Sequence, residues 1–162
     1  MYPKRLLITD PFTPQSYDIL LSLKDICNHI VVMVSPLGLF PRLFSFTANS
    51  RVVTKCVPSQ YYYRIPIDAL VNPEDGGING DEQNYIDEIL AVCKAEKINL
   101  IYPSDDFEIL LLSKYKKVFY DQGIEIPVNT FETLKQLFDK ASVINLARHY
   151  QIPHPYTVRM DE

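Results

Sequence analysis

Apolar residues follow two rhythms along this chain: short continuous runs, and longer stretches with a three-to-four-residue period. The runs KRLLITD (4–10), IVVMVS (30–35) and NLIYPS (99–104) have no polar face, which predicts strands buried on both sides. RVVTKCVPS (51–59) alternates and predicts a further strand, as does IEIPV (124–128). Between them, QSYDILLSLKDIC (15–27) spaces Tyr17, Leu20, Leu21 and Leu23–Lys24 as a helix does. DEQNYIDEILAVCKAEK (81–97) puts Ile86, Ile89, Leu90 and Cys93 on one face, with acids early and lysines late to suit the helix dipole. Asp105 and Glu108 have capping-box spacing and predict a helix through about Tyr120, with Gly123 placed for a C-terminal cap. Asn129 and Glu132 repeat that spacing before NTFETLKQLF, and residues 139–150 form a last helix. Strand and helix alternate, so the predicted fold is α/β: a three-layer, mostly parallel sheet with helices on both faces. PLGLFPRLFSFTANS (36–50) and YYYRIPIDALVNPEDGGING (61–80) are the irregular connections, the second broken by prolines and the Gly76–Gly77 pair.

Composition narrows this picture without changing it. The 162 residues are 47% hydrophobic and 22% charged, enough for a proper core and too apolar for disorder. A net charge of -4 without a Lys/Arg cluster argues against nucleic acid and against an anionic membrane surface as partners. Asp10 and the prolines interrupt the N-terminal apolar run too early for a signal peptide, and no run approaches the roughly 20 residues of a membrane span. Cys27, Cys56 and Cys93 are odd in number and far apart, so reduced, mostly buried thiols are expected. These features together read as a soluble, cytoplasmic domain.

In a doubly wound sheet, ligands bind beyond the carboxyl ends of the strands, above all at the topological switch point. Three segments should line that edge: TDPFTPQ (9–15), SPLGLFPR (35–42) and PSDDFE (103–108). The first stands where GxGxxG would cradle a pyrophosphate and has no glycine, which argues against a nicotinamide or flavin cofactor; no GxxxxGK[ST] loop occurs either. Thr9, Asp10, Ser104, Asp105 and Asp106 are the candidate edge residues. The two acids of PSDDFE could orient a substrate amine or contact a neighbouring domain; the plainer alternative is a helix cap and a solvated first-turn acid. His29, His149 and His154 have no catalytic partner at a familiar spacing and read as surface or structural residues. Tyr61, Tyr62, Tyr63 and Arg64 read as packing in an irregular connection rather than a base-stacking platform, because the overall charge is acidic and no basic cluster surrounds them. Phe40, Phe44 and Phe46 read as core packing, unless exposed, in which case they would mark a partner surface. Lys140, beside Asp139, reads either as a surface lysine or as a point charge reaching a nucleotide phosphate.

The stretch from Ile98 to Thr157 resembles the segment of ATP-grasp enzymes that joins their N-terminal, Rossmann-like pre-ATP-grasp domain to the ATP-grasp fold. Carbamoyl-phosphate-synthase-like and biotin-carboxylase-like branches share this order. A strand ending in Pro-x-x-Asp (103–106) leads through a helix to Gly-Ile (123–124), then Asp-Lys (139–140), a helix and Ile-Pro-His-Pro-Tyr-Thr (152–157). ANSRVVTKCVPS (48–59) is similar to a Ser-Arg stretch of related chains, whereas Gln151 stands where a glycine is usual. The resemblance implies a pre-ATP-grasp domain over 1–137, then a linker helix and the first residues of an ATP-grasp domain over 138–162. It implies a ligase that phosphorylates a small carboxylate with ATP and Mg²⁺ before an amine attacks the acyl phosphate. Metal-binding acids and the phosphate loop belong to the ATP-grasp domain of the same polypeptide, so this part would be inactive alone and hold no tightly bound cofactor. Lys140 matches the cation with which related enzymes approach ATP. The implied partners are that domain and the carboxylate substrate, with a homodimer among the assemblies left open. Two other classes compete: a stand-alone α/β small-molecule-binding or regulatory domain, and a scaffold docking a partner through residues 40–46.

Overall fold

The computed structural model describes residues 3–34, 44–60 and 80–157. In chain order their elements are β1 (Lys4–Ile8), α1 (Pro14–Leu23), β2 (Cys27–Val34), β3 (Lys55–Pro58), α2 (Gly80–Glu96), β4 (Leu100–Tyr102), α3 (Asp106–Lys114), α4 (Lys116–Tyr120), α5 (Phe131–Phe138) and α6 (Lys140–His149), and the four strands form one parallel sheet. SPLGLFPR, Phe40, Tyr61–Tyr63 and the tail beyond Thr157 lie outside the described residues. The chain divides into two compact units, residues 1–128 and 129–162.

In the first unit the strand order is β3-β2-β1-β4, the order of one half of a Rossmann-like doubly wound sheet. Every pairing is parallel, with Leu6 opposite both Ile30 and Leu100, and Ile8 opposite both Val32 and Tyr102. Side chains alternate across a strand, so Leu6, Ile8, Ile30, Val32 and Leu100 share one face; Leu20 joins them, with Ile19 and Leu23 of α1 packed against the cluster. Leu7, Val31, Met33 and Ile101 are buried on the opposite face. There α2 is anchored: its last residue, Glu96, takes a hydrogen bond from Arg5 Nε on its carbonyl and meets His29 Nε2 with its carboxylate. Tyr85, Ile86, Ile89, Val92 and Cys93 form the buried stripe of α2. Both faces are thus covered, which is why these strands carry continuous apolar runs.

Several local expectations are corrected. Tyr17 and Leu21 are exposed, because α1 turns Ser16, Ile19, Leu20 and Leu23 inward instead. The helix expected up to Tyr120 is two helices. Tyr115 leaves the helical region at φ -98 and ψ 9, just after Ser113 donates to the Leu110 carbonyl, a local bond that competes with helix continuation. IEIPV gives a single bridge, Glu125 to Leu100, because Pro127 has no N–H to extend the ladder. Gly123 does cap α4: at φ 74 it lets Gly123 and Ile124 donate back to Tyr120 and Phe119.

The second unit is a helical pair, α5 against α6. Its first cap is Thr130, whose hydroxyl accepts from the Thr133 N–H, rather than Asn129. Asp139 caps α6 by accepting from Ala141 and Ser142. Gln151 takes the left-handed conformation at φ 55 that glycine usually supplies, and Ile152 still donates to Ala147. The cap survives without the glycine.

Candidate functional site

The switch point of this sheet lies between β1 and β4, whose neighbours in sequence are on opposite sides of them. Beyond their carboxyl ends is an open cleft of about 360 Å³, lined by Asp10, Thr13, Gln15, Ser104, Asp105, Asp106 and Phe107. Four of the five candidate edge residues therefore meet in one place. Local chemistry explains how each is held. Asp10 is only 1% exposed, and its Oδ1 accepts from the Phe12 N–H at 3.0 Å, shaping the loop after β1. Thr13 then caps α1 by accepting from Ser16 N, with Pro14 at the first helical position. Ser45 and Thr47 brace this loop from outside: Ser45 Oγ donates to the Pro11 carbonyl at 2.6 Å, and Thr47 and Ser16 hydroxyls lie 2.7 Å apart. Ser104 Oγ donates to the Asp10 carbonyl at 2.5 Å and joins the two strand ends.

Asp105 caps α3, accepting from the Glu108 N–H at 2.8 Å, while Asp106 is exposed in the first turn. The plainer reading, a cap and a solvated first-turn acid, describes their local structure, and both also line the cleft. The fifth candidate, Thr9, is fully buried and lies beneath the rim; its hydroxyl donates to Glu108 Oε2 at 2.5 Å.

Glu108 is the residue that spacing misassigned. Only half of the capping box forms: its backbone N–H meets Asp105, but its carboxyl turns inward and accepts from Thr9 and from the Tyr85 hydroxyl. At 1% exposure it is a buried acid, and burial first, then the negative charge of Asp105, push its pKa up to about 8. The sequence pattern offered Glu108 only as a capping partner and did not mark Tyr85 at all. The available signal was the company Glu108 keeps: in DFEILLLSK nearly every neighbour is apolar and buried, leaving no solvent face for an acid at that position.

The remaining candidates are placed as follows. Lys140 is exposed at the first position of α6, in the second unit. His29 is tied to Glu96, and His154 Nδ1 lies 2.9 Å from the Ile152 carbonyl. The cysteines are free thiols; Cys93 is buried, which pushes its pKa up to about 12 and leaves it inert. Phe44 and Phe46 are 79% and 81% exposed, so they are not core; Phe46 lies 6.3 Å from the Tyr17 ring.

Chemically, the described residues of the cleft present three carboxylates, two hydroxyls and an amide, with no cation among them. It suits an ammonium or other cationic hydrogen-bond donor and repels a carboxylate or phosphate. Among the described residues no group of three His, Cys, Asp or Glu side chains is placed to hold a metal ion, and no helix is long and apolar enough to cross a membrane. No curated protein matches the chain. Residues 79–127, which carry α2, β4, α3, α4 and the Glu125 bridge, match the family model described as PylC-like, N-terminal domain, and with the parallel sheet this fits a domain associated with ATP-grasp ligases.

Proposed function

We propose that this chain is the N-terminal domain of an ATP-dependent carboxylate–amine ligase, and that its acidic cleft holds the amine end of a substrate. The observation that carries this reading is the coincidence of two things. The matched stretch, 79–127, contains Ser104, Asp105 and Asp106, and these residues complete the cleft at the switch point. An amine nucleophile is protonated in water, and three carboxylates around one opening favour that cation. The substrate carboxylate and the triphosphate, both anionic, belong elsewhere, on an ATP-grasp domain of the same polypeptide.

The residues present fit ATP and Mg²⁺ only in part. Lys140, exposed at the start of α6, is one cation able to approach a phosphate oxygen. Nothing in the first unit supplies a glycine-rich cradle after β1. ATP and Mg²⁺ therefore enter as ligands of the ATP-grasp domain, supplying the energy to activate the carboxylate, and no step is assigned to them on this chain. In this reading the domain orients the nucleophile and is inactive alone. Narrower affinity with carbamoyl-phosphate-synthase-like or biotin-carboxylase-like enzymes, a cytoplasmic setting and the small-molecule carboxylate partner are proposed on the resemblance of the 98–157 segment.

The test is ADP release from ATP with a panel of carboxylates and amines, using this chain alone and joined to an ATP-grasp domain. Turnover only in the joined protein, lost in Asp106→Asn, supports the reading. Turnover indifferent to Asp106→Asn removes the cleft from it. Micromolar binding of an amine by the chain alone, with no turnover in the joined protein, favours the stand-alone binding domain instead.

A further inference from the structure

Beneath the cleft, three elements converge on one side chain. Thr9 follows β1, Tyr85 lies on α2, and Glu108 lies on α3; the two hydroxyls reach opposite oxygens of the Glu108 carboxyl, each at 2.5 Å. Every atom of that arrangement is inside the protein: Thr9, Tyr85 and Glu108 are 0%, 1% and 1% exposed. The charges acting on Glu108 come from Asp105, at the start of its own helix, and from Asp10, in the loop after β1; both are acids. Among the described residues no cation pairs with it, in contrast to Glu96, which has Lys55 and His29, and Glu82, which has Lys114.

We infer that Glu108 is a positioning residue of the cleft that works with its proton on, latching β1, α2 and α3 together beneath the acidic rim. With the proton present, the carboxyl oxygen that carries it can return a hydrogen bond to Thr9 or Tyr85, and both hydroxyls are able to accept. When the proton leaves to water, a buried anion faces Asp105 and Asp10 across a region of low dielectric. The cheapest relief is for the β1 and α3 ends to part and admit water. The raised pKa, about 8, places this change close to neutrality, where an ordinary carboxyl would long have ionised. The inference does not depend on what the cleft binds, because the latch lies under the lining residues rather than among them.

The full chain, labelled with ¹³C and ¹⁵N, tests this by NMR titration, the Glu108 carboxyl being assigned through bonds to its own backbone. The carboxyl should titrate near pH 8, and the amides of Asp10, Ser104 and Asp105 should move with the same midpoint. A Glu108 midpoint near the ordinary 4.5 overturns the inference. So does a midpoint near 8 with motionless rim amides, since Glu108 would then be buried without positioning anything. Glu108→Gln, an isosteric stand-in for the neutral acid, should hold the rim amides constant from pH 5 to 9; a rim that still titrates near 8 in this variant also overturns it.

Discussion

Ser104 and Asp10 stand 94 residues apart in sequence, yet the Ser104 hydroxyl donates to the Asp10 carbonyl at 2.5 Å. This bond ties the end of β4 to the end of β1 and sets the width of the cleft between them. Ser104→Ala leaves that buried carbonyl without its donor and should cost about 1 kcal/mol by urea denaturation. The amide resonance of Asp10 should shift in the same variant, while those of β3 stay in place.

Asp105 has two separable effects, one local and one electrostatic. Asparagine caps helices as well as aspartate does, so Asp105→Asn should preserve α3, whereas Asp105→Ala should cost about 1 kcal/mol. Both remove the acid that raises the Glu108 pKa, so the Glu108 carboxyl should titrate below the value of about 8 in either variant. Thermal unfolding reads the first effect and carboxyl NMR the second.

Opposite pH dependences are built into two buried or half-buried acids. Glu108 has a folded pKa raised above its unfolded one, so its contribution is full below pH 4.5 and is lost as pH rises through about 8. Glu96 is the reverse. Hydrogen bonds from Lys55 first, and then His29, hold its pKa below 4.5, so its contribution is present above that pH and lost as pH falls through the folded value. Glu96→Gln should therefore destabilise the protein at neutral pH and converge on the parent protein in acid, measured as the unfolding midpoint from pH 7 to pH 3.

Left-handed backbone sites give a fourth test, with opposite signs at different positions. Lys97 and Gln151 close helices at φ 52 and φ 55, a conformation that costs an L side chain about 1 kcal/mol. Lys97→Gly should raise the stability of the first unit by about that amount, and Gln151→Gly should increase the helical circular dichroism of α6. Gly123→Ala should lose about 1 kcal/mol at φ 74, although the space around its would-be Cβ is open. Equal stability of the Gly123→Ala protein would show that this turn relaxes.

How far the sequence went is clearest at the two ends of the cleft. Continuous apolar runs at 4–10, 30–35 and 99–104 determined buried parallel strands, because a strand covered on both faces has nowhere to put a polar residue. Asp105 before an apolar run determined a helix start, since an extended acid can meet the free N–H groups of the first turn. Alternation and capping are local rules, and for local features they worked. Two capping expectations failed, one for a local reason and one for a long-range reason. Asn129 and Thr130 are both able caps, and the backbone conformation at Thr130 selected it. Glu108 had the spacing of a capping partner, but that spacing says nothing about which face of α3 meets the sheet. Tertiary packing turned Glu108 inward to Thr9 and Tyr85, 99 and 23 residues away, and so made a surface acid by pattern into a buried acid in fact. Local pattern was enough for the buried strands and the start of α3, whereas the packing of three elements around one carboxyl decided what lies beneath the cleft.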